Sequence, residues 1–444
     1  MRNINYYLSV LLLIIAIGNS YKNIAQIVDS LYEIQLPELW SISDEWNGYP
    51  VIYNQTSADS GQFVIMKPLP GNSSVPCVAI VNRNVKDFIV LGDTVYFTGT
   101  LSSGTGYYGW FSLNDVINYS PLSPGLIKYK RFNINSTYRF RDMDCIKAYF
   151  YQGIRYILLI GNRITMATGE VSRCLFEDKT YTGASCTYAT GGGDYFDDIV
   201  ILNDYVVSVA RKGDGSMQHT PIYIRRYNKS NSITDFNLIR LYDWSVIEAV
   251  GRIRAQETGN NRFSIAYGWE GNGYVVSCFR IPVSTLILDK IYRTQNITAQ
   301  CNIKDVGYRS GDSTLLVMHG QTGTYSAFVT EWPRTMFPNT FATSLVRREI
   351  QPQGFSVTKD GLNRFAASIL KNNNLHLLRV SNSTTSYTCM PQDAISNIEL
   401  NYSISDHDQR VDRQNCTIRY ESSELIVYKT PYSTICGPGI DKDE

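Results

Sequence analysis

The stretch Phe88-Ile-Val-Leu-Gly-Asp-Thr-Val-Tyr-Phe-Thr98, followed by Tyr107-Tyr-Gly-Trp-Phe-Ser-Leu113, decides the fold. Apolar, β-branched and aromatic residues run together without helical spacing, and the runs are broken by Gly92-Asp93 and by the loop Thr98–Gly106. Similar paired runs recur along the chain at intervals of roughly 50–60 residues. They are Ala148–Ile160 with Arg163–Cys174, Asp198–Ala210 with Pro221–Tyr227, and Arg262–Tyr267 with Gly273–Ile281. Ser313–His319 with Thr324–Trp332 and Arg364–Leu370 with Leu375–Val380 complete six hairpin-like units, and a further strand signal sits at Glu424–Tyr428. The expectation is an all-β chain, a six-bladed β-propeller closed by a C-terminal strand, with two stacked β-sandwiches as the rival architecture. A short helix is expected near Ile24–Leu31 and little helix after it. No linker divides the chain after residue 50, so 51–444 reads as one head preceded by a short segment at 21–50.

The composition narrows the function classes. Charged residues are 18% and the formal net charge is +1, so no global field draws this chain to nucleic acid, and no Lys/Arg block offers a polyanion site. The 32 tyrosines suit both strands and wet binding surfaces. Residues 1–20 read as a signal peptide or a short signal-anchor: an apolar run from Leu8 to Ile17 is followed by the small residues Gly18 and Ser20. A buried strand or helix is the bland alternative. The first two readings place the rest of the chain in an extracellular or secretory setting. The sequons at Asn54, Asn72, Asn118, Asn135, Asn228, Asn296, Asn382, Asn401 and Asn415 agree with that setting.

Nine cysteines are present with no CxxC pair, and only four histidines, so neither a zinc site nor any cofactor is expected. Spacing suggests local bridges Cys174–Cys186, Cys278–Cys301 and Cys389–Cys416, with Cys77–Cys436 closing the ring and Cys145 left as a buried thiol.

At Phe88–Phe97 the sequence resembles the first-blade strand pair of paramyxovirus attachment glycoproteins of the hemagglutinin-neuraminidase type. The run Pro124–Asn135 into Cys145 is similar to that family's entry into its second blade. Ser383–Cys389, Asn415-Cys416, Leu425–Pro431 and Cys436 follow the order at the close of its heads. The resemblance spans residues 70–145 and 345–436, and the chain departs from the family in leaving almost no room for a helical stalk. It implies a head that binds a host cell-surface protein or glycan receptor, working beside a viral fusion protein, on a virion envelope or cell surface.

A sialidase on this fold needs arginines for the sugar carboxylate, a tyrosine nucleophile and an acid near the leaving oxygen. Where the resemblance implies an arginine, the chain reads Cys77-Val-Ala-Ile80; where it implies an acid, the loop Thr98–Gly106 has none. The family's Asn-Arg-Lys-Ser-Cys-Ser is replaced by Arg141-Asp-Met-Asp-Cys-Ile146. Arg211, Arg348 and Tyr387 remain as weak catalytic candidates, each read more simply as a loop cation, a salt bridge or packing against a disulfide. Gly191–Asp194 reads as a turn, and Asp194, Asp197 and Asp198 as a solvated turn rather than a calcium site. His219, His319, His376 and His407 lack a nucleophile motif. The expectation is a binding protein, with a sialidase-like glycosidase as the alternative.

Overall fold

Residues 85–132 fold as four antiparallel strands in chain order: Val85–Leu91, Thr94–Thr100, Gly106–Ser112 and Leu126–Phe132. The first turn is tight because Gly92 takes φ 60°, a conformation that costs a residue with a Cβ. In this computed structural model the same meander recurs over 40–81, 138–191, 194–242, 249–295 and 301–350. The described residues are 30–436 except 38–39, 48, 67–76, 134–136, 180–184, 192–193, 213–221, 230–235, 243–248, 270, 284, 310–312, 322–326, 336–340, 351–352, 360–363, 372–373, 382–391, 402, 407–410 and 430–431. The protein is all-β, as the sequence implies.

A seventh unit is shared between the two ends of the chain. Gln353–Lys359, Arg364–Lys371 and Asn374–Ser381 supply three strands, and Ser30–Pro37 pairs antiparallel with the last of them as the fourth. The first strands of units 1 to 7 touch their neighbours in order, and that of unit 7 touches that of unit 1, so the units form a closed ring. The count is therefore seven rather than six. The unit missed from sequence is the first, 40–81, whose opening strands Trp40–Trp46 and Tyr49–Ser57 fall largely in the segment read as a short N-terminal piece. The expected C-terminal strand does join unit 1, as Ile426–Lys429 beside Cys77–Val81, but the four-stranded sheet of unit 7 is completed from the opposite end of the chain, through Ser30–Pro37. Where a helix was expected, Ser30 already begins this strand; residues 24–29 lie outside the described residues.

The cores lie between adjacent units, which is why the middle strands are apolar on both faces: Thr94–Thr100 and Gly106–Ser112 bury nearly every residue. Between units 1 and 2, Phe63 meets Phe88, Phe97 and Phe111 at centroid distances of 5.1, 5.7 and 5.2 Å. Comparable clusters fill the next four seams, from units 2 and 3 to units 5 and 6. Among the described residues no helix is long and apolar enough to cross a membrane. The run Leu8–Ile17 lies outside them.

The last described strands do something the sequence did not announce. They run around the outside of the ring, against the order of the units, as a belt. Gln392–Glu399 pairs first with the outer strand of unit 6 and then with that of unit 5. Ser403–Asp406 joins unit 4, and Val411–Glu424 pairs with unit 3 through its first half and unit 2 through its second. Ile426–Lys429 joins unit 1 and Tyr432–Cys436 joins unit 7. Every unit thus gains a fifth strand on its outer edge.

The belt is fastened by Cys186–Cys416, whose residues face each other in the ladder with Cα atoms 5.2 Å apart. This corrects the pairings read from spacing. Cys174 and Cys186 lie on adjacent strands but out of register: Cys174 faces Thr190 while Thr187 faces Glu177. Cys186 is then about four residues along the ladder from Cys174, on the order of 13 Å and beyond the reach of a bridge. Cys174, Cys278, Cys301 and Cys77 are buried free thiols, as is Cys145. Cys77 faces Lys429 in unit 1, whereas Cys436 faces Leu31 in unit 7. Cys389 lies outside the described residues.

The bridge spans 230 residues, so the chain-entropy argument assigns it on the order of 5 kcal/mol. Replacing Cys186 and Cys416 together by serine is expected to lower the urea midpoint of unfolding and to make it insensitive to reductant. An unchanged midpoint would show that the belt holds without the bridge.

Candidate functional site

Each unit's first strand is a sheet edge facing the centre of the ring, so its backbone N–H groups lack a ladder partner on that side. Six of these seven strands carry a bulge or register shift in their pairing with the second strand. The residues just after the shift are Asp87, Cys145, Asp198, Arg254, Asp305 and Ser356. Carboxylates at this level satisfy the open edges. Asp87 accepts the Ile146 N–H of unit 3 at 2.9 Å, and Asp198 accepts the Ala255 N–H of unit 5 at 2.9 Å. Asp44 of unit 1 does the same for Val90 of unit 2 at 2.6 Å. Asp44, Asp198 and Asp305 also cap the amide that follows each of them.

Lys147 completes this inner layer. Burial pulls its pKa down, but the carboxylates of Asp198, Asp87 and Asp44 outweigh burial and hold the ammonium above the ordinary lysine range. Burial pushes Asp87 up, with Lys147 and the Ile146 amide opposing it. Burial raises Asp44 to about 6, against the hydrogen bonds from Val90 and Glu45. The Cys145 thiol, 3.5 Å from Asp198 as donor, is pushed up by burial and by the Asp198 and Asp87 charges, so it is a poor nucleophile.

Where the inner strands of units 3, 4 and 5 begin, three arginines gather. Arg173 donates to both oxygens of Asp144 at 2.8 and 3.0 Å and to the Phe196 carbonyl at 2.9 Å. Arg211 grips Asp197 with two nitrogens, one at 3.0 Å. Arg252 donates to the Asp197 carbonyl at 3.0 Å and the Asp144 carbonyl at 3.2 Å. The carboxylate pairs lie within units 3 and 4, and the carbonyl bonds of Arg173 and Arg252 tie neighbouring units together; each guanidinium already has its anion or its carbonyls.

No known protein family and no curated protein matches this sequence.

Of the catalytic candidates among the described residues, it is Arg211 that stands at this centre. Arg348 is buried on the outer strand of unit 6, where it and Arg309 share Glu331 at 3.2 and 2.8 Å. Arg211 in unit 4 and Arg348 in unit 6 are thus apart, and Tyr387 lies outside the described residues. Asp197 and Asp198 are buried on an inner strand, which corrects their reading as a solvated turn. His319 is buried between Tyr274 and Phe328, and burial lowers its pKa to about 3, leaving it neutral. Among the described residues no group of three or more His, Cys, Asp or Glu side chains is placed to hold a metal ion.

Five sequon asparagines, Asn118, Asn228, Asn296, Asn401 and Asn415, are exposed. Asn54 is fully buried on the second strand of unit 1 and has no room for a glycan, which corrects its inclusion. Asn72, Asn135 and Asn382 lie outside the described residues. Beside Asn118, at the seam of units 2 and 3, a cavity of about 620 Å³ is walled by Trp110, Asp115, Pro124, Leu126 and Arg155.

Sequence reasoning missed the carboxylate layer. Its signal was present as an apolar residue, any residue, then Asp before an apolar run, in Val85-Lys-Asp87-Phe, Phe196-Asp-Asp198-Ile and Ile303-Lys-Asp305-Val.

The raised pKa of Asp44 fixes a sign. Its folded value of about 6 exceeds the ordinary 3.8, so its stabilising contribution is present below about pH 4 and lost as pH rises through 6. That span corresponds to at most about 3 kcal/mol, reduced by solvent screening. Urea titrations of wild type and Asp44→Asn between pH 4 and 7 should therefore diverge, with wild type gaining on the variant as pH falls. A constant difference would contradict the assignment.

Proposed function

We propose that this ring is a seven-bladed β-propeller that serves as the binding head of an extracellular attachment glycoprotein, recognising a cell-surface protein or glycan. The observation that carries the reading is the commitment of Arg173, Arg211 and Arg252 to Asp144, Asp197 and backbone carbonyls. An acidic sugar entering there meets no uncommitted guanidinium among these three; its carboxylate would have to displace an internal one, and the displaced partly buried acid would be left uncompensated. Chemistry on an acidic glycoside is thus disfavoured at the centre, and recognition falls to the loops. Phe150 and Ile154, both about half exposed, flank the first turn of unit 3, with the Arg155 guanidinium 4.8 Å over the Phe150 ring. An exposed aromatic carrying a stacked arginine is a suitable anchor for a partner.

The extracellular setting is supported by five exposed sequons and by Cys186–Cys416. Display on a virion envelope and work beside a fusion protein extend the same reading. The glycosidase alternative keeps one point in its favour, the gathering of three arginines around the ring centre.

The test uses the purified chain on a fluorogenic sialoside, together with binding to cells before and after desialylation or surface proteolysis. No turnover is expected, and binding should drop at least about tenfold for Phe150→Ala with Ile154→Ser, on the scale of an interface anchor. Turnover abolished by Arg211→Ala would establish the glycosidase instead.

A further inference from the structure

The cavity at the seam of units 2 and 3 opens beside a residue that carries a modification signal. Asn118 lines it and heads the sequon Asn118-Tyr119-Ser120. Asn118 is also the C-terminal cap of the short helix Leu113–Ile117, its N–H bonded to the Asn114 carbonyl at 2.9 Å. That bond fixes its backbone. A group attached to its side-chain nitrogen therefore starts from a defined point on the cavity wall instead of from a swinging loop.

The walls suit a sugar. Pro124 and the exposed Leu126 offer apolar surface at the rim, while Trp110, buried against Tyr108, contributes little. Asp115 supplies acceptors, and Lys128 and Arg155 supply donors. A saccharide has both needs at once: apolar ring faces, and hydroxyl and acetamido groups that donate and accept. The volume, about 620 Å³, lies in the range of small-molecule sites. The other exposed sequon asparagines, Asn228, Asn296, Asn401 and Asn415, do not line this cavity.

We infer that the N-glycan of Asn118 folds back into this cavity, its first sugars lying along Pro124 and Leu126 with Asp115 and Arg155 as polar partners. The inference rests on the extracellular reading above, which supplies the glycosylation machinery. The attachment is the ordinary one: the Asn118 amide nitrogen displaces a lipid-linked diphosphate at the anomeric carbon of an activated oligosaccharide, and the amide proton leaves with it. The glycan then acts as a built-in filler of the seam, a role that the other exposed sequons, away from this cavity, do not offer.

The experiment takes the full chain from glycosylating eukaryotic cells and follows enzymatic glycan release at each sequon by mass spectrometry, native and denatured. Release at Asn118 is expected to be at least about tenfold slower than at Asn228 or Asn296 in the native protein, and equal to them after denaturation. Asp115→Ala, an exposed change on the cavity wall, should bring the native rate at Asn118 toward that at Asn228. An unmodified Asn118 beside occupied Asn228 and Asn296, or equal native rates at all three, would overturn the inference and leave the extracellular reading standing. A chain with no occupied sequon would overturn both.

Discussion

A ring of sheets has edges of two kinds, and the whole molecule is arranged around satisfying both. Seven strands present their backbone to the centre and seven present it outward. Neither set can complete its ladder within its own unit, and an unpaired buried N–H is costly. Inside, short acidic side chains do the pairing: Asp44, Asp87 and Asp198 each reach the next unit's backbone. Outside there is room for backbone, and the chain supplies it as the belt. The inner solution brings negative charge, which in turn requires Lys147 and the gathered arginines. The electrostatics of the centre are therefore a consequence of ring closure before they are anything else.

That origin explains how much could be read in advance. The buried middle strands, such as Thr94–Thr100 and Leu315–Val317, announce themselves because both faces are apolar. The all-β class and six of the units follow from them. The first unit stayed hidden because its opening strand, Trp-Ser-Ile-Ser-Asp-Glu-Trp, mixes polar residues suited to an inner edge with apolar ones. The belt was harder still. In Asn415-Cys-Thr-Ile-Arg419 exposed and buried residues alternate, which marks a strand, but nothing local names a partner more than 200 residues away. The cysteines misled for the same reason: nearness in sequence is easy to see, whereas register across a ladder is not.

The candidate site was legible only in pieces. Arg211 was singled out, yet its meaning depends on Asp197, which the sequence presented as part of an acidic turn. Paired, the two become a staple between strands of one unit, and Arg252 carries the contact to the next. Arg348 shows the converse, since a buried arginine far from the centre can look catalytic until Glu331 is found beside it. Opposite charges converge wherever a backbone must be held, and such convergence is a weak sign of chemistry unless one group is left over to act.

The direction of the belt bears on how this chain is made. A ribosome delivers unit 1 first, but the strand that completes unit 7 is older than any of them and must wait, unpaired, for residues 353–381 to emerge. The outer edges wait longer, since residues 392–436 come last and then pair with the units in reverse order. Throughout synthesis the nascent ring exposes unsatisfied edges, the surface on which β-rich chains aggregate. Within each unit the pairings are between consecutive strands, but the belt and the closing strand pair with segments far away in sequence, which slows folding. The belt can therefore cover the outer edges only after every unit it pairs with has been made.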